Sequence, residues 1–380
     1  MWLVTSSGEI MRSTRSTASQ ESFECQEFPF ARERATSPPH LCLKLRWICS
    51  VSKVKLPSGD HAWLLTAHKD IRTALSSGKL SADPRTPGYP RIRGPSCEAA
   101  RNNPKPTIVT FDDPEHSRLR TALDAEFTPE AVNGLRLLIH GVVDNALDAI
   151  DMRYVKQEQP FDLMDELAAP LAQDTSLGTD HPRDAAQDEE QVLIQYVGRF
   201  MAQLVYVILT ASNAALLNSI GLGQWHKVRR NPLAFASGLA AECLRYNTTS
   251  AHDCRRAATD DLAVHGRTIK KGEGVICAVQ SADRDEAVTQ RPGVFDVNRK
   301  YPAGDLLGFG YGAHRYLGEH LAKVTLEITL GTLFARFPGL KLHGGIEDVE
   351  FTAPTENIGV VKLPVIVDPN VQLHRINMPG

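Results

Sequence analysis

Leu307-Gly-Phe-Gly-Tyr-Gly-Ala-His-Arg-Tyr-Leu-Gly318 is the stretch on which the fold of this 380-residue chain turns. Glycines at 308, 310 and 312 permit backbone conformations that a Cβ forbids and let the chain approach a flat ligand closely. A phosphate-binding loop would need Gly-Lys-Ser/Thr after the glycines and an apolar strand before them, and neither is present. Beyond Gly318, Leu321, Val324, Ile328, Phe334 and Phe337 recur at helical spacing against His320, Lys323 and Glu327, which predicts an amphipathic helix leaving the loop.

Working outward, residues 51 to 76 alternate in strand fashion around Pro57-Ser58-Gly59-Asp60 and pass into a helix from Lys69, a hairpin followed by a helix. Residues 82 to 106 are rich in Pro, Gly and Arg without apolar periodicity and read as a long loop, of a length that is often functional. Helical patterns occupy 115 to 126, 130 to 150 and 235 to 246. Between them, 170 to 190 is polar and unpatterned and breaks the core, and Gln191 to Ile220 reads as one helix about 45 Å long. Short strands are expected around Leu262 to Val264 and Gly274 to Val279, and a last hairpin at Val349-Glu-Phe351 and Val360 to Leu363. The expectation is a mainly α chain with a small β region: a disordered leader over 1–24, a single domain over 25–370 and a tail over 371–380.

A hydrophobic content of 42% suffices for a substantial core, and a net charge of -3 offers no field for nucleic acid or an anionic membrane surface. Seven cysteines at 25, 42, 49, 97, 243, 254 and 277 form no Cys-x-x-Cys pair, which points to thiols in a reducing, cytoplasmic compartment. The Ser-, Thr- and Arg-rich run 11–20 suits a mitochondrial presequence, but Glu9 and Glu21 flank it. Phe200 to Leu217 has the length of a membrane span, yet Gln203, Thr210, Ser212 and Asn213 favour a buried helix of a soluble domain.

Phe309, Gly310, Gly312, His314, Arg315 and Gly318 resemble the haem-binding loop of the cytochrome P450 superfamily, Phe-Gly-x-Gly-x-His-Arg-Cys-x-Gly, with Tyr316 where the metal-ligating cysteine belongs. Other signatures follow in family order. Glu242-Cys-Leu-Arg245 resembles the Glu-x-x-Arg of the K helix and Arg299 the arginine that completes the triad, a directional carboxylate–guanidinium network that holds architecture. Alone, Glu-x-x-Arg reads equally well as a helix-surface ion pair. His116 and Arg120 resemble the C-helix His-x-x-x-Arg, on one helix face and aimed at a haem propionate, and Arg256 and His314 match further propionate contacts. Ala278-Val-Gln-Ser-Ala-Asp-Arg-Asp285, Asp296 to Lys300, Glu319 to Lys323 and Phe127 to Val132 are similar to the fungal nitric-oxide-reductase branch.

The resemblance implies a cytochrome P450 fold shortened between about 170 and 242, lacking about fifty residues of the distal roof. Ala215 stands where the family has a threonine, and Asn357 where the branch has an acidic relay residue, so no catalytic residue is assigned. It implies haem, a small-molecule substrate or nitric oxide, and electrons from NADH, NADPH or a redox partner. For a dinucleotide, the loop offers Arg85, Arg91, Arg93 and Arg101, although Ala82-Asp83-Pro84 lacks basic character. Three functional readings stand at this point: a haem oxidoreductase, nitric-oxide-reductase-like or a pathway monooxygenase, with altered proximal ligation; a degenerate fold acting as a non-catalytic binding scaffold; or a gene-model error masking an active enzyme. A tyrosine ligates haem only as phenolate, and free phenol titrates near pH ~10.

Overall fold

The computed structural model describes residues 25–33, 37–92, 108–174, 227–248, 254–301, 306–353, 355 and 359–371. The readings of the leader, of most of the loop beyond Ile92, of the long helix 191–220 with the span-length run inside it, of Ala215 and Asn357, and of the end of the tail lie outside these residues.

The described residues form nine α-helices: α1 His40–Ile48, α2 His68–Leu75, α3 Glu115–Asp124, α4 Pro129–Gly134, α5 Arg136–Arg153, α6 Ala169–Asp174, α7 Pro232–Tyr246, α8 Val279–Ala282 and α9 Glu319–Arg336. The helical core forms where α9 packs on α7 and α5, burying Leu330, Leu333 and Phe334 against Leu147, Ile150, Leu239 and Cys243. Close approach has a local cause. A Cβ on Gly331 would sit 3.1 Å from Leu233 Cδ2 and 3.2 Å from Ala236 Cβ, so the absent side chain brings α9 against α7. Helix α7 begins as its sequence dictates, with Asn231 Oδ1 accepting from Ala234 N at 3.3 Å and Pro232 in the first turn.

The β region is a six-stranded mixed sheet in the order β1-β2-β3-β9-β6-β4, built from Gln26–Glu27, Val51–Lys55, His61–Leu65, Gly274–Cys277, Arg255–Ala258 and Leu80–Ser81. The expected hairpin is β2–β3, with Val51 opposite Leu65 and Lys55 opposite His61. Strands β7 (Leu262–Val264) and β8 (Arg267–Ile269) form one ribbon and β11 (Glu350–Phe351) with β12 (Val360–Lys362) another; β10 (Leu340–Leu342), β13 (Pro364–Val367) and β5 (Phe161–Asp162) make a three-stranded sheet.

The helix expected over 130–150 is broken at Leu135 into α4 and α5, the one expected from 235 begins at Pro232, and two further boundaries differ for a visible reason. Strand β9 stops at Cys277, and Val279 opens α8, because Ala282 N and Asp283 N turn back to Ala278 O and Val279 O. The polar stretch from 170 begins as helix, since α6 runs to Asp174 after a π-helical turn at Met164–Ala168, and Leu171 is buried in the core. One buried leucine every turn or so is enough to hold a segment whose remaining residues are polar.

Candidate functional site

The glycine loop is held at both ends and in its middle. At its start Leu307 N donates to Asp283 Oδ1 at 2.8 Å, and Thr248 Oγ1, just beyond α7, donates to Asp283 Oδ2 at 2.7 Å. Gly310 and Gly312 have φ of +74° and +75°, in the left-handed region that side chains disfavour. A Cβ on Gly312 would lie 2.8 Å from Leu75 O, so glycine lets the loop lie on the end of α2. From α2, Arg72 Nη2 donates to Tyr311 OH at 2.9 Å and its guanidinium lies 4.7 Å from the ring centre. Tyr316 N donates to Phe309 O at 2.8 Å, closing the loop on itself before α9 begins.

Position 316 is partly buried. Its ring stacks almost parallel to Phe309, with centroids 5.8 Å apart and planes at 9°, and packs against the helical core. The neighbouring Arg315 is engaged elsewhere: Nε and Nη2 donate to Glu319 at 2.5 and 2.8 Å, and Lys323 reaches the same carboxylate at 2.6 Å. These cations hold Glu319 below the usual carboxylate range against its burial.

Four donor side chains converge from three elements. His116 is buried in the first turn of α3, and its ring centre lies 4.1 Å from that of His314 in the loop. Arg120, one turn along α3, donates from Nε to Asp124 Oδ1 at 2.9 Å and from Nη1 to Arg315 O. Arg256 on β6 donates to Arg255 O at 2.7 Å. Burial first, and then Arg256 and His116, push the His314 imidazole down to about 3. Burial likewise lowers His116, with Asp113 opposing it. The Nδ1 atom of His314 is buried with no hydrogen-bond partner among the described residues. Cationic groups crowded so that a histidine must stay neutral form a site complementary to an anion.

The architectural network is equally definite. Glu242 and Arg245 are both wholly buried. Arg245 Nε and Nη2 donate to the carboxylate at 3.0 and 2.7 Å, Arg299 Nε at 3.2 Å, Asp296 N at 2.9 Å, and Tyr301 OH also donates. Of the residues singled out from sequence, the structure thus brings together His116, Arg120, Arg256 and His314 in one cluster and Glu242, Arg245 and Arg299 in another. Sequence reading assigned no role to Tyr301, to the Asp296 amide, to the Arg72–Tyr311 clamp or to Asp283. Asp283 lies inside the run Ala278 to Asp285, whose own residues carry no signal of its partners. In the loop after β4, Arg85 is bidentate to Asp83 at 2.9 and 2.6 Å, so its charge is locally neutralised. No group of three or more potential metal ligands occurs among the described residues. No helix among them is long and apolar enough to cross a membrane.

Comparison with known proteins agrees with this geometry. The Cytochrome P450 family model matches residues 229–364, from the helix bearing Glu242 through the loop and α9. Cytochrome P450 55A3 of Fusarium lichenicola is 31% identical over 399 aligned positions, covering 89% of this chain and 96% of that protein. The 20-oxo-5-O-mycaminosyltylactone 23-monooxygenase of Streptomyces fradiae is 27% identical, covering 89% and 91%. Among solved structures, cytochrome P450 MoxA from Nonomuraea recticatena superposes with a TM-score of 0.75 at 26% identity, over 91% of this chain and 99% of that one. The alignment to the Fusarium protein is longer than the 380 residues here, so it carries gaps on this chain's side. With the loop, the buried glutamate–arginine network and a relative matched along nine-tenths of its length, this chain belongs to the cytochrome P450 superfamily.

Proposed function

We propose that this chain is a haem-binding oxidoreductase with altered proximal ligation, in which His116, Arg120, Arg256 and His314 would hold the two propionates and Tyr316 stands at the sequence position of the family's metal-ligating cysteine. The observation that carries the reading is the four-donor cluster: it is cationic, partly buried, drawn from three separate elements, and contains a histidine nitrogen to which no described residue is bonded. Two carboxylates match that donor set in charge and hydrogen-bonding sense. The axial position fits less simply. A phenol can serve haem iron as phenolate, and Arg315, next to it in the chain, is bound to Glu319.

Haem, when bound, supplies the redox chemistry on oxygen or on nitric oxide that is characteristic of the family. This chain's residues neutralise the propionates, hold the loop Leu307–Gly318 against α2, and set what faces the metal. Neutral His314 donates a hydrogen bond without adding a further positive charge. A thiolate's electron donation is unavailable from Tyr316, so oxygen activation of the thiolate type is not expected. For electron supply, Arg85 held by Asp83 supports a separate reductase partner over direct capture of NADH or NADPH, whose phosphates need uncommitted cations. The substrate is a small organic molecule or nitric oxide. Catalysis is assigned to no side chain.

A second reading draws on one specific observation. Tyr316 stacks on Phe309 within the helical core, as a packing residue would. In that reading the fold is retained as a non-catalytic binding scaffold.

Haem titration of the purified chain separates the two. Saturable binding at one site per chain, lost in Arg256→Ala, supports the first; its absence supports the second. The ferrous carbonyl complex of wild type should lack the red-shifted Soret band of thiolate ligation. Tyr316→Cys, with a reference pKa near ~8.5 against ~10, should raise haem retention and restore part of that band. A folded Tyr316→Cys protein that binds no more haem than wild type would mean the pocket itself is lost.

A further inference from the structure

Beside Arg256 of the donor cluster, two thiols face each other on adjacent strands of the six-stranded sheet. Strands β6 and β9 pair antiparallel with Arg255 opposite Ile276 and Arg256 opposite Val275, a register that places Cys254 opposite Cys277. Cys277 N donates to Cys254 O at 2.9 Å, which makes the two a hydrogen-bonded antiparallel pair. Cα atoms in such pairs lie about 5.5 Å apart. Disulfides span about 4.4–6.8 Å between Cα atoms, so the backbone already meets the requirement. Directly opposed residues project from the same face of a sheet, and here the two side chains hydrogen-bond to each other.

The environments of the two sulfurs differ in a useful way. Cys277 is completely buried in an apolar cluster with Leu65, Val275 and Leu307, whereas Cys254, at the entry to β6, is partly exposed. The hydrogen bond with Cys254, and then burial, push the Cys277 thiol well up. Cys254 is thus the sulfur a reagent reaches first, and Cys277 the one positioned to attack it next. Cys42 and Cys243 lie apart from this pair, each buried in a different core cluster.

We propose that Cys254 and Cys277 form a redox modification site, a dithiol that small-molecule disulfides convert reversibly into a cross-strand disulfide. Cys254, as thiolate, attacks one sulfur of a disulfide RS–SR. The RS–SR bond breaks, a Cys254–S–S–R bond forms, and the departing RS⁻ takes up a proton. The Cys277 sulfur gives up its proton and attacks Cys254 Sγ, which forms the protein disulfide and expels the second RS⁻, again protonated. Two protein thiols are oxidised and one small disulfide is reduced to two thiols. The product staples β6 to β9 beside Arg256, and its formation does not depend on whether haem is bound.

The test uses the full-length chain in glutathione buffers of rising disulfide content, quenched with acid, alkylated, digested and mapped by mass spectrometry, with circular dichroism confirming that the chain stays folded. The expected result is a linked pair of peptides containing Cys254 and Cys277, lighter by two hydrogens and reopened by dithiothreitol, with loss of two alkylatable thiols per chain. In Cys277→Ser, the Cys254–glutathione adduct should accumulate, because the resolving sulfur is gone. In Cys254→Ser, Cys277 should stay reduced. A folded wild-type chain in which both thiols remain alkylatable at every ratio would overturn the proposal. So would a stable glutathione adduct on wild-type Cys254 that never resolves.

Discussion

Replacing Glu242 with alanine tests the interior of the fold most directly. Five donors from four residues converge on this carboxylate: Arg245 through two nitrogens, Arg299, the Asp296 amide and Tyr301. After the substitution, Arg245 retains carbonyl contacts to Pro292 at 2.8 Å and Val294 at 3.3 Å but has lost its counter-charge while remaining wholly buried. Removing one partner of a buried pair costs about 3–5 kcal/mol. Total stabilities are only about 5–15 kcal/mol. With an unfolding entropy of about 2.1 cal/mol/K per residue, a chain of this length should lose about 4–6 °C in Tm, and soluble yield should fall. Calorimetry on purified protein, with near-ultraviolet circular dichroism to report loss of fixed packing, is the measurement. In Glu242→Leu combined with Arg245→Met, both charges are gone and much of the loss should be recovered, since the cost arises from the stranded guanidinium. A Glu242→Ala protein that melts within a degree of wild type would refute the network's role; a double variant no better than the single would refute the stated cause.

Burial pushes Asp283 up to about 6 from the ordinary aspartate range, so the folded state holds its proton more tightly than the unfolded state. Stability from this group is therefore full below pH ~4 and lost as pH rises through ~6, by about 3 kcal/mol; Asp283→Asn should raise Tm at pH 7.5 with a gain that shrinks towards pH 4, and a pH-independent change would contradict this. Gly312→Ala places a Cβ 2.8 Å from Leu75 O at φ +75°, so it should lower Tm, whereas in Gly308→Ala the nearest atom is Thr248 Cγ2 at 3.4 Å and the melt should change little. His314, held down to about 3 by burial, Arg256 and His116, should show no titration between pH 5 and 8 by NMR, and haem or another bound dianion should raise its pKa; a midpoint near 6.5 in the unliganded chain would mean the cluster is open to water.

Much of the candidate site was legible because its parts are local. His116 and Arg120 sit four apart on one helix face, and Glu242 and Arg245 three apart on another, so their association follows from helical geometry alone. Arg256 and His314 lie far away in sequence, and only resemblance linked them to the cluster before the fold was seen. Asp283 was quoted without a role, since nothing within its own segment reveals that Thr248 and the Leu307 amide meet it. The helical start at 170 continues the buried stripe Leu163, Leu167 and Leu171, but the polar residues that follow Leu171 in sequence hide that continuation.

By itself, the sequence determined those features that arise within a few residues: a glycine loop requiring positive φ at Gly310 and Gly312, the amphipathic helix that follows, the α7 cap at Asn231-Pro232, and the absence of a thiolate at 316. Tertiary structure alone decided that the Tyr316 ring stacks on Phe309, that His314 meets His116, and that Cys254 faces Cys277. Backbone sterics and hydrogen bonding to near neighbours act over one or two turns. Strand register and the direction of a half-buried side chain are set instead by packing against distant elements, a sum over contacts that no single segment contains.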